Sequence, residues 1–279
     1  MSSTTNDPSA PILVRFEDGI GHLTLNNPGR KNAITADMAH QIERFCARVD
    51  EDQDIGAVIV DARGDYFCSG ADIRDLAAAA ANPASTDSLR RTSALYSAFV
   101  RIGLLPVPTV AVVVGGAVGA GLNLALACDV LLVTPDAVLE SGFLGRRIHP
   151  GGGHFSLLGR TLNRQQAIAV GALGAALSGT AAVRLGLAWA AYPGDEITVR
   201  ARELVWLSAE DPALSRRVKL SADLELGPTA VPWLAALEVE RGAQMWSFGR
   251  KGEEGWKHEP VPAARASGAV TTVPSREVP

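Results

Sequence analysis

Cysteine is scarce in this sequence, and its three cysteines match no disulfide or ligand pattern. Cys46, Cys68 and Cys128 are odd in number and form no CxxC pair. Disulfide frameworks and zinc sites need paired or regularly spaced cysteines, so neither is expected. We predict reduced, packed thiols, with Cys68 as packing rather than nucleophile, and no bound metal.

An excess of basic charge is also missing. The 279 residues carry 26 Lys and Arg against 30 Asp and Glu, a formal net charge of −4 at pH 7. Proteins that bind nucleic acids normally present a basic surface. We therefore expect no nucleic-acid partner.

An uninterrupted apolar run of membrane-spanning length is absent as well. The most apolar stretch, residues 104–133, contains two prolines, four glycines, Asn123 and Asp129. These residues do not suit a lipid-exposed span, so no membrane segment is expected. The opening residues MSSTTNDPSAP have neither the charged nor the apolar region of a secretory signal, which predicts a cytoplasmic protein.

We expect the rest of the fold to be organised around one glycine-rich stretch, PTVAVVVGGAVGAGLNLALACD at residues 108–129. It indicates a buried strand over residues 110–114, a glycine turn, and an apolar helix over residues 122–128. A helix that starts at such a turn aims unpaired N–H groups at whatever occupies the turn. The positive end of the helix favours an anion or a polarised carbonyl oxygen, although a purely structural turn is the alternative.

A second glycine turn, FCSGADI at residues 67–73, follows a predicted strand at residues 57–60 and precedes a helix predicted from Ala71. Residues 12–16 and 22–25 predict a hairpin. The loop NNPGRKNAI then carries Arg30 and Lys31 at its tip, which indicates either a solvated tip or a phosphate contact.

Helical spacing and capping residues predict most other elements. Residues 77–85, which are rich in alanine, are predicted to form a loop. The remaining predictions are a Thr35 cap with a helix to residue 49, a helix over 89–102, a strand over 130–134, a helix start at 155–158, caps at Asn163 and Thr180, a strand over 189–192, and helices from near 195, over 220–226 and over 231–248. We divide the chain into a core (1–208), a C-terminal helical region (209–258) and a disordered or loosely docked tail (259–279).

Four motifs in this order resemble the crotonase superfamily, also called the enoyl-CoA hydratase/isomerase family. They are NNPGRKNAI, FCSGADI, GGAVGAGLNLALACD and PGGGHFSLLGR, with weaker likeness at residues 247–256. The resemblance covers residues 12–256. It implies an α/β, crotonase-like superhelix of ββα units with a C-terminal helical region, assembled as a homotrimer or a dimer of trimers.

The resemblance also implies an acyl-CoA thioester as substrate, with CoA part of the substrate and no separate cofactor. Two backbone N–H groups would stabilise an enolate-like oxyanion, and motif position assigns them to Ala71 and Ala120. Other positions implied to bind the substrate are Arg30, Lys31, Ala33, Gly70, Asp72, Gly119, Gly121 and Phe143. Asp72 alternatively caps the helix that follows it.

The sequence departs from the family at its two acid–base positions. Hydration in the family relies on two glutamates, and Asn123 and Phe143 stand in their places. Losing one general acid or base typically costs about 10²–10⁴-fold. The candidate substitutes are Glu140 and the histidines that flank Pro-Gly-Gly-Gly, His149 and His154, although packed or exposed roles are the alternative for both histidines.

The sequence therefore predicts an acyl-CoA enzyme of the crotonase type. Its reaction would be a rearranged hydration, an isomerisation, a decarboxylation or a thioester hydrolysis. The alternatives are a non-catalytic acyl-CoA-binding protein and a structural subunit whose value lies in its oligomer surface.

Overall fold

Two β-sheets form the frame of the molecule, for which a computed structural model describes residues 7–226 and 233–256. The tail predicted at residues 259–279 lies outside the described residues. The strands are β1 (Ile12–Glu17), β2 (Ile20–Leu25), β3 (Ala57–Ala62), β4 (Thr109–Val113), β5 (Gly116–Val118), β6 (Val130–Val133), β7 (Val138–Glu140), β8 (Leu177–Ser178) and β9 (Ala190–Ala191).

The larger sheet has the strand order β1-β2-β3-β4-β6-β9 and is parallel apart from its first pair. β1 and β2 form the predicted hairpin, with Glu17 opposite Ile20. Its turn residues, Asp18 and Gly19, both have positive φ, which matches the twist that a two-residue hairpin needs. The smaller sheet has the order β5-β7-β8, with β5 and β7 parallel.

The helices of the described residues are α1 (Ala36–Glu51), α2 (Ile73–Ala81), α3 (Thr86–Gly103), α4 (Ala120–Ala127), α5 (His154–Leu158), α6 (Arg164–Gly171), α7 (Gly179–Leu185), α8 (Ile197–Glu210), α9 (Pro212–Glu225) and α10 (Trp233–Lys251). Both faces of the larger sheet are covered by helices. Successive side chains of a strand point to opposite faces, so Val58 and Val60 pack with α1 and α3 while Ile59 packs with α8. Burial on both faces explains the continuous apolar runs in the central strands.

Local capping chemistry confirms several predicted helix starts. The Thr35 hydroxyl accepts a hydrogen bond from the Met38 N–H at 3.2 Å, and Asn163 forms a capping box with Gln166. Asp72 caps α2 by accepting from the Arg74 N–H, so this helix begins at Ile73, two residues later than predicted.

Two local predictions were wrong. The loop predicted at residues 77–85 is helix α2 as far as Ala81, because its alanines favour helix and two of them, Ala79 and Ala80, pack against Phe248 and its neighbours. The cap of α7 is not Thr180 but Ser178, whose hydroxyl accepts from the Ala181 N–H at 3.1 Å.

Helix α9 is held by polar contacts to Asp129, the residue before β6, and to the C-terminal end of α1. The Lys219 ammonium lies 3.1 Å from the Asp129 carboxylate. The Arg216 guanidinium donates to the backbone carbonyls of Val49 and Asp52, both at 2.7 Å. The proposed division after residue 208 stays a prediction, and α8 runs across that position.

Among the described residues, no helix combines the length and the apolar character that crossing a bilayer requires.

Candidate active site

The two glycine turns lie against each other. The Cys68 N–H donates to the Gly116 carbonyl at 3.2 Å, and the Val118 N–H donates to the Cys68 carbonyl at 3.0 Å. A side chain at Gly121 would place its Cβ 2.3 Å from the Cys68 carbonyl oxygen. Only glycine permits this approach, which brings the segment after Cys68 beside the start of α4.

The backbone N–H groups of Ala71 and Ala120 have no acceptor within the part of the chain that the structure describes. The amides on either side of Ala71 bond to Ile34, so the N–H of Ala71 itself points the other way. Ala120 is the first residue of α4, where N–H groups lack an intrahelical acceptor. A Cβ built on Gly70 would lie 3.8 Å from the Ala120 nitrogen, which shows how closely the two turns adjoin.

Both alanines line one cavity of about 390 Å³. The structure brings most of the predicted site residues to its wall, namely Arg30, Ala33, Gly70, Ala71, Asp72, Gly119, Ala120, Asn123 and Phe143. The cavity therefore joins the start of α4, the Gly70 turn and the loop before α1, three segments that are far apart in sequence.

The other predicted site residues do not line this cavity; they are Lys31, Gly121, Glu140, His149 and His154. The Lys31 ammonium sits 5.0 Å from the centre of the Tyr66 ring. Glu140 is half-buried on β7. Burial raises the pKa of its carboxyl group, and this effect exceeds the lowering by the positive charge of Arg146. The Nδ1 atom of His149 lies 2.7 Å from the carbonyl oxygen of the following residue.

Asn123, at the cavity wall, and His154, behind it, form a buried pair. The Asn123 Nδ2 atom donates to the Gly151 carbonyl at 2.8 Å, and its Oδ1 atom lies 2.7 Å from His154 Nδ1. The imidazole packs edge-on against Phe143, with 5.1 Å between ring centres. Burial lowers the pKa of His154 to about 4, which keeps the ring neutral near pH 7.

A charge cluster lies at one side of the cavity. The buried Asp72 carboxylate is 2.5 Å from Arg30 Nη1 and 3.0 Å from Arg74 Nη2. Burial works against ionisation of Asp72, but hydrogen bonds from Arg74 and the charge of Arg30 outweigh it and lower its pKa. The Arg30 side chain remains 42% exposed and can reach a ligand at this edge.

The cavity also contains residues from α3 and α10 that were not predicted from the sequence. Tyr96 and Phe99 line it from α3, and Gln244 and Phe248 line it from α10. The Tyr96 hydroxyl donates to Gln244 Oε1, and burial raises the pKa of the phenol. Spacing identified both helices, but no local signal tells which face meets a cavity formed so far away in sequence.

Asn32 was also missed, although it shapes the loop that carries Arg30. Its backbone has a φ of 53° and its side chain is fully buried. The amide donates to the carbonyls of Arg63 and Tyr66 at 2.9 and 2.7 Å and accepts from the Asn27 N–H. Asparagine tolerates this left-handed conformation, which is the available sequence signal.

The three thiols are free and buried, as predicted. Burial raises the pKa of Cys68 to about 12, so it is protonated and unreactive at neutral pH. Within the described ranges 7–226 and 233–256, no three His, Cys, Asp or Glu side chains group in a way that could hold a metal ion.

Comparison with known proteins agrees with this geometry. The family model for enoyl-CoA hydratase/isomerase matches residues 15–231. The chain belongs to this family. The "Probable enoyl-CoA hydratase EchA14" of Mycobacterium tuberculosis is 36% identical over 239 residues, which are 86% of this chain and 90% of that protein.

Two further members of the enoyl-CoA hydratase/isomerase family extend the comparison. The 1,2-epoxyphenylacetyl-CoA isomerase of Escherichia coli is 30% identical over 202 residues, 72% of this chain and 77% of that protein. The crystal structure of an enoyl-CoA hydratase from Mycobacterium avium subsp. paratuberculosis has a TM-score of 0.76 at 27% identity and covers 89% of this chain and all of that chain. The α/β crotonase fold predicted from the motifs is therefore confirmed.

Proposed function

We propose that the protein binds an acyl-CoA thioester with its carbonyl oxygen between the N–H groups of Ala71 and Ala120. The observation that supports this proposal is that both N–H groups lack an acceptor among the described residues and lie at one cavity. An α-carbanion of a thioester delocalises onto that oxygen, and each preorganised donor is typically worth about 2.7–4 kcal/mol to such a transition state. The names of the two curated relatives, which include CoA esters as substrates, agree with this choice.

The proposed chemistry is formation of an enolate without the two glutamates. Asn123 and Phe143 line the cavity at those positions, and neither exchanges a proton as a carboxylate does. Glu140, His149 and His154 do not line the cavity, so the proposal assigns direct proton transfer to none of them. Loss of CO₂ from a 2-carboxyacyl thioester needs no base, because the breaking C–C bond supplies the enolate electrons.

The proposed CoA-binding edge is the loop at residues 29–33. Arg30 would pair with a phosphate of CoA, with Ala33 beside it at the cavity wall. Lys31 would add positive charge from outside the wall, where its ammonium now lies over Tyr66. Arg30→Ala should therefore weaken binding of every CoA ester by a similar factor, whatever its acyl group.

The test of the donor pair is Ala120→Pro, which deletes one N–H. Proline is well tolerated at the first residue of a helix, so the variant is expected to fold. The matched control is Thr86→Pro, because Thr86 is the exposed first residue of α3 and does not line the cavity. Ala120→Pro should lose at least 100-fold in turnover of crotonyl-CoA or of a 2-carboxyacyl-CoA, and full activity of the folded variant would exclude the donor role.

A non-catalytic acyl-CoA-binding protein is the second candidate. The carboxylates at the cavity wall are engaged with arginines, since Asp72 is paired with Arg30 and Arg74, and Asp75 lies 3.8 Å from Arg91. Carboxylates held in this way are poor proton carriers, which favours binding without catalysis. Micromolar binding of CoA esters by calorimetry, without turnover of any ester in the panel, would select this candidate. Measurable CO₂ release or hydration would exclude it.

We also propose the homotrimer or dimer of trimers that the resemblance implies, in a cytoplasmic protein. Large apolar side chains are exposed on the single chain, among them Trp189, Trp206 and Leu207. Exposed apolar area of this kind favours burial in an interface. Analytical ultracentrifugation distinguishes a trimer or hexamer from a monomer, and a monomer would contradict this proposal.

A further inference from the structure

The side-chain amide of Asn123 is held in one orientation by two different partners. Its Nδ2 atom donates to the Gly151 carbonyl at 2.8 Å, which identifies the nitrogen end because a carbonyl only accepts. The Oδ1 end must then accept from the atom opposite it, His154 Nδ1 at 2.7 Å. The residue is 1% exposed and lines the cavity, so this orientation decides which atoms face a ligand.

The same contacts determine the protonation state of His154. Because Asn123 Oδ1 only accepts, the Nδ1 atom must carry the hydrogen. In the neutral ring Nε2 then carries no hydrogen and keeps its lone pair. This buried atom has no hydrogen-bond partner among the described residues. His154 therefore acts on the cavity through Asn123, since its own ring does not line the wall.

Helix α10 holds the backbone of the segment that carries His154. The Glu240 carboxylate accepts from the backbone N–H groups of Gly153 at 2.9 Å and His154 at 3.2 Å, at the start of α5. Trp233 Nε1 donates to the Gly152 carbonyl at 3.2 Å. These bonds hold the backbone of the segment whose Gly151 carbonyl and His154 ring contact the two ends of the Asn123 amide.

We propose that His154 is a positioning residue, whose Nδ1–H holds the Asn123 amide so that its second Nδ2–H faces the cavity as a third donor; this inference rests on the proposed function. The third donor comes from the same helix as Ala120, one turn further along. It suits an oxygen atom on the acyl group beside the thioester carbonyl. An acyl group with a 3-oxo or carboxylate oxygen is therefore preferred over a saturated chain of the same length.

The first test reads the tautomer and does not depend on activity. In ¹⁵N-histidine-labelled protein at pH 7, long-range ¹H–¹⁵N correlation should show His154 protonated at Nδ1 and bare at Nε2. The His154 signals are assigned by their loss in His154→Gln. Asn123→Leu, which has nearly the same shape without the acceptor, should abolish the preference for Nδ1–H. A proton on Nε2 in the unmodified protein would overturn the proposal.

The second test measures ligand preference by calorimetry, as the affinity for acetoacetyl-CoA divided by that for butyryl-CoA. His154→Phe should lower this ratio about threefold to tenfold, the value of one hydrogen bond. His154→Gln, which retains an N–H donor, should restore most of it. His40→Gln, the same change at an exposed histidine of α1, should leave it unchanged.

A double variant separates positioning from a general structural effect. Asn123→Leu with His154→Phe should show no lower ratio than Asn123→Leu alone, since both changes remove one function. Additive effects would refute the proposal. If the unmodified protein binds neither CoA ester, the proposed function fails, and the tautomer measurement still decides whether His154 orients Asn123.

Discussion

Replacing Gly121 by alanine tests the contact that brings the two glycine turns together. A Cβ at this position would lie 2.3 Å from the Cys68 carbonyl oxygen and 2.8 Å from the Cys68 Sγ atom. Ordinary contacts begin near 3.4 Å, so the two turns must separate by about 1 Å. The oxygen belongs to the backbone and cannot turn aside as a flexible side chain would.

The cost follows from overpacking and from the bonds that the shift stretches. Adding a methyl group to a packed core typically costs about 1–3 kcal/mol. The separation also strains the bonds from Cys68 N–H to Gly116 and from Val118 N–H to Cys68, each worth about 1 kcal/mol. We expect Gly121→Ala to lose about 2–5 kcal/mol of the free energy of unfolding, the overpacking cost plus part or all of the two hydrogen bonds.

The assay is urea unfolding, with acyl-CoA affinity measured on the folded variant. Gly242→Ala is the matched control, because Gly242 lies inside α10 and an added methyl group there would meet no atom of the described residues within 4 Å, so the change should stabilise by about 0.5–1 kcal/mol. Cys68→Ala should not rescue Gly121→Ala, since the carbonyl contact remains. If Gly121→Ala unfolds within about 0.5 kcal/mol of the unmodified protein and binds CoA esters equally well, the close approach of the turns is refuted.

Three further predictions concern other parts of the molecule. The three buried thiols should not react with a disulfide reagent at pH 8 in the folded protein and should all react in denaturant, and absorbance of the released thiolate measures this. Asp72→Asn should lower the free energy of unfolding at pH 7, measured in urea, by about 1.5–3 kcal/mol. Because the folded state lowers the pKa of Asp72 from 3.8, this loss of stability should persist down to about pH 3.8 and disappear as the pH falls through the folded-state pKa. A loss that is unchanged at low pH would contradict this. Asn163→Ala should cost about 0.5–2 kcal/mol in thermal or urea unfolding, whereas Thr180→Ala should cost less because Thr180 does not cap its helix; equal losses would contradict the cap assignments.

The hairpin, the Thr35 and Asn163 caps and the two glycine turns were predictable because their causes are local. A hairpin turn depends on adjacent residues such as Asp18 and Gly19, and a cap bonds to an N–H three residues away. Local patterns gave a wrong prediction for the alanine-rich segment at residues 77–85. Its weak apolar pattern indicated a loop, while alanine's helix propensity and burial against α10 made residues 77–81 the end of α2 and left only residues 82–85 as a loop.

The sequence by itself determined the family and the α/β crotonase fold, and through the resemblance it predicts that Ala71 and Ala120 supply the two N–H donors and that Asn123 and Phe143 stand in place of the two glutamates. Only the tertiary structure decided that His154 lies behind Asn123 instead of facing the cavity, and that Tyr96 and Gln244 meet at its wall. The physical reason is sequence separation. Local sequence patterns reflect interactions within a helical turn or a hairpin. Tyr96 and Gln244, in contrast, are brought together by packing between helices, and no short segment encodes the relative position of those helices.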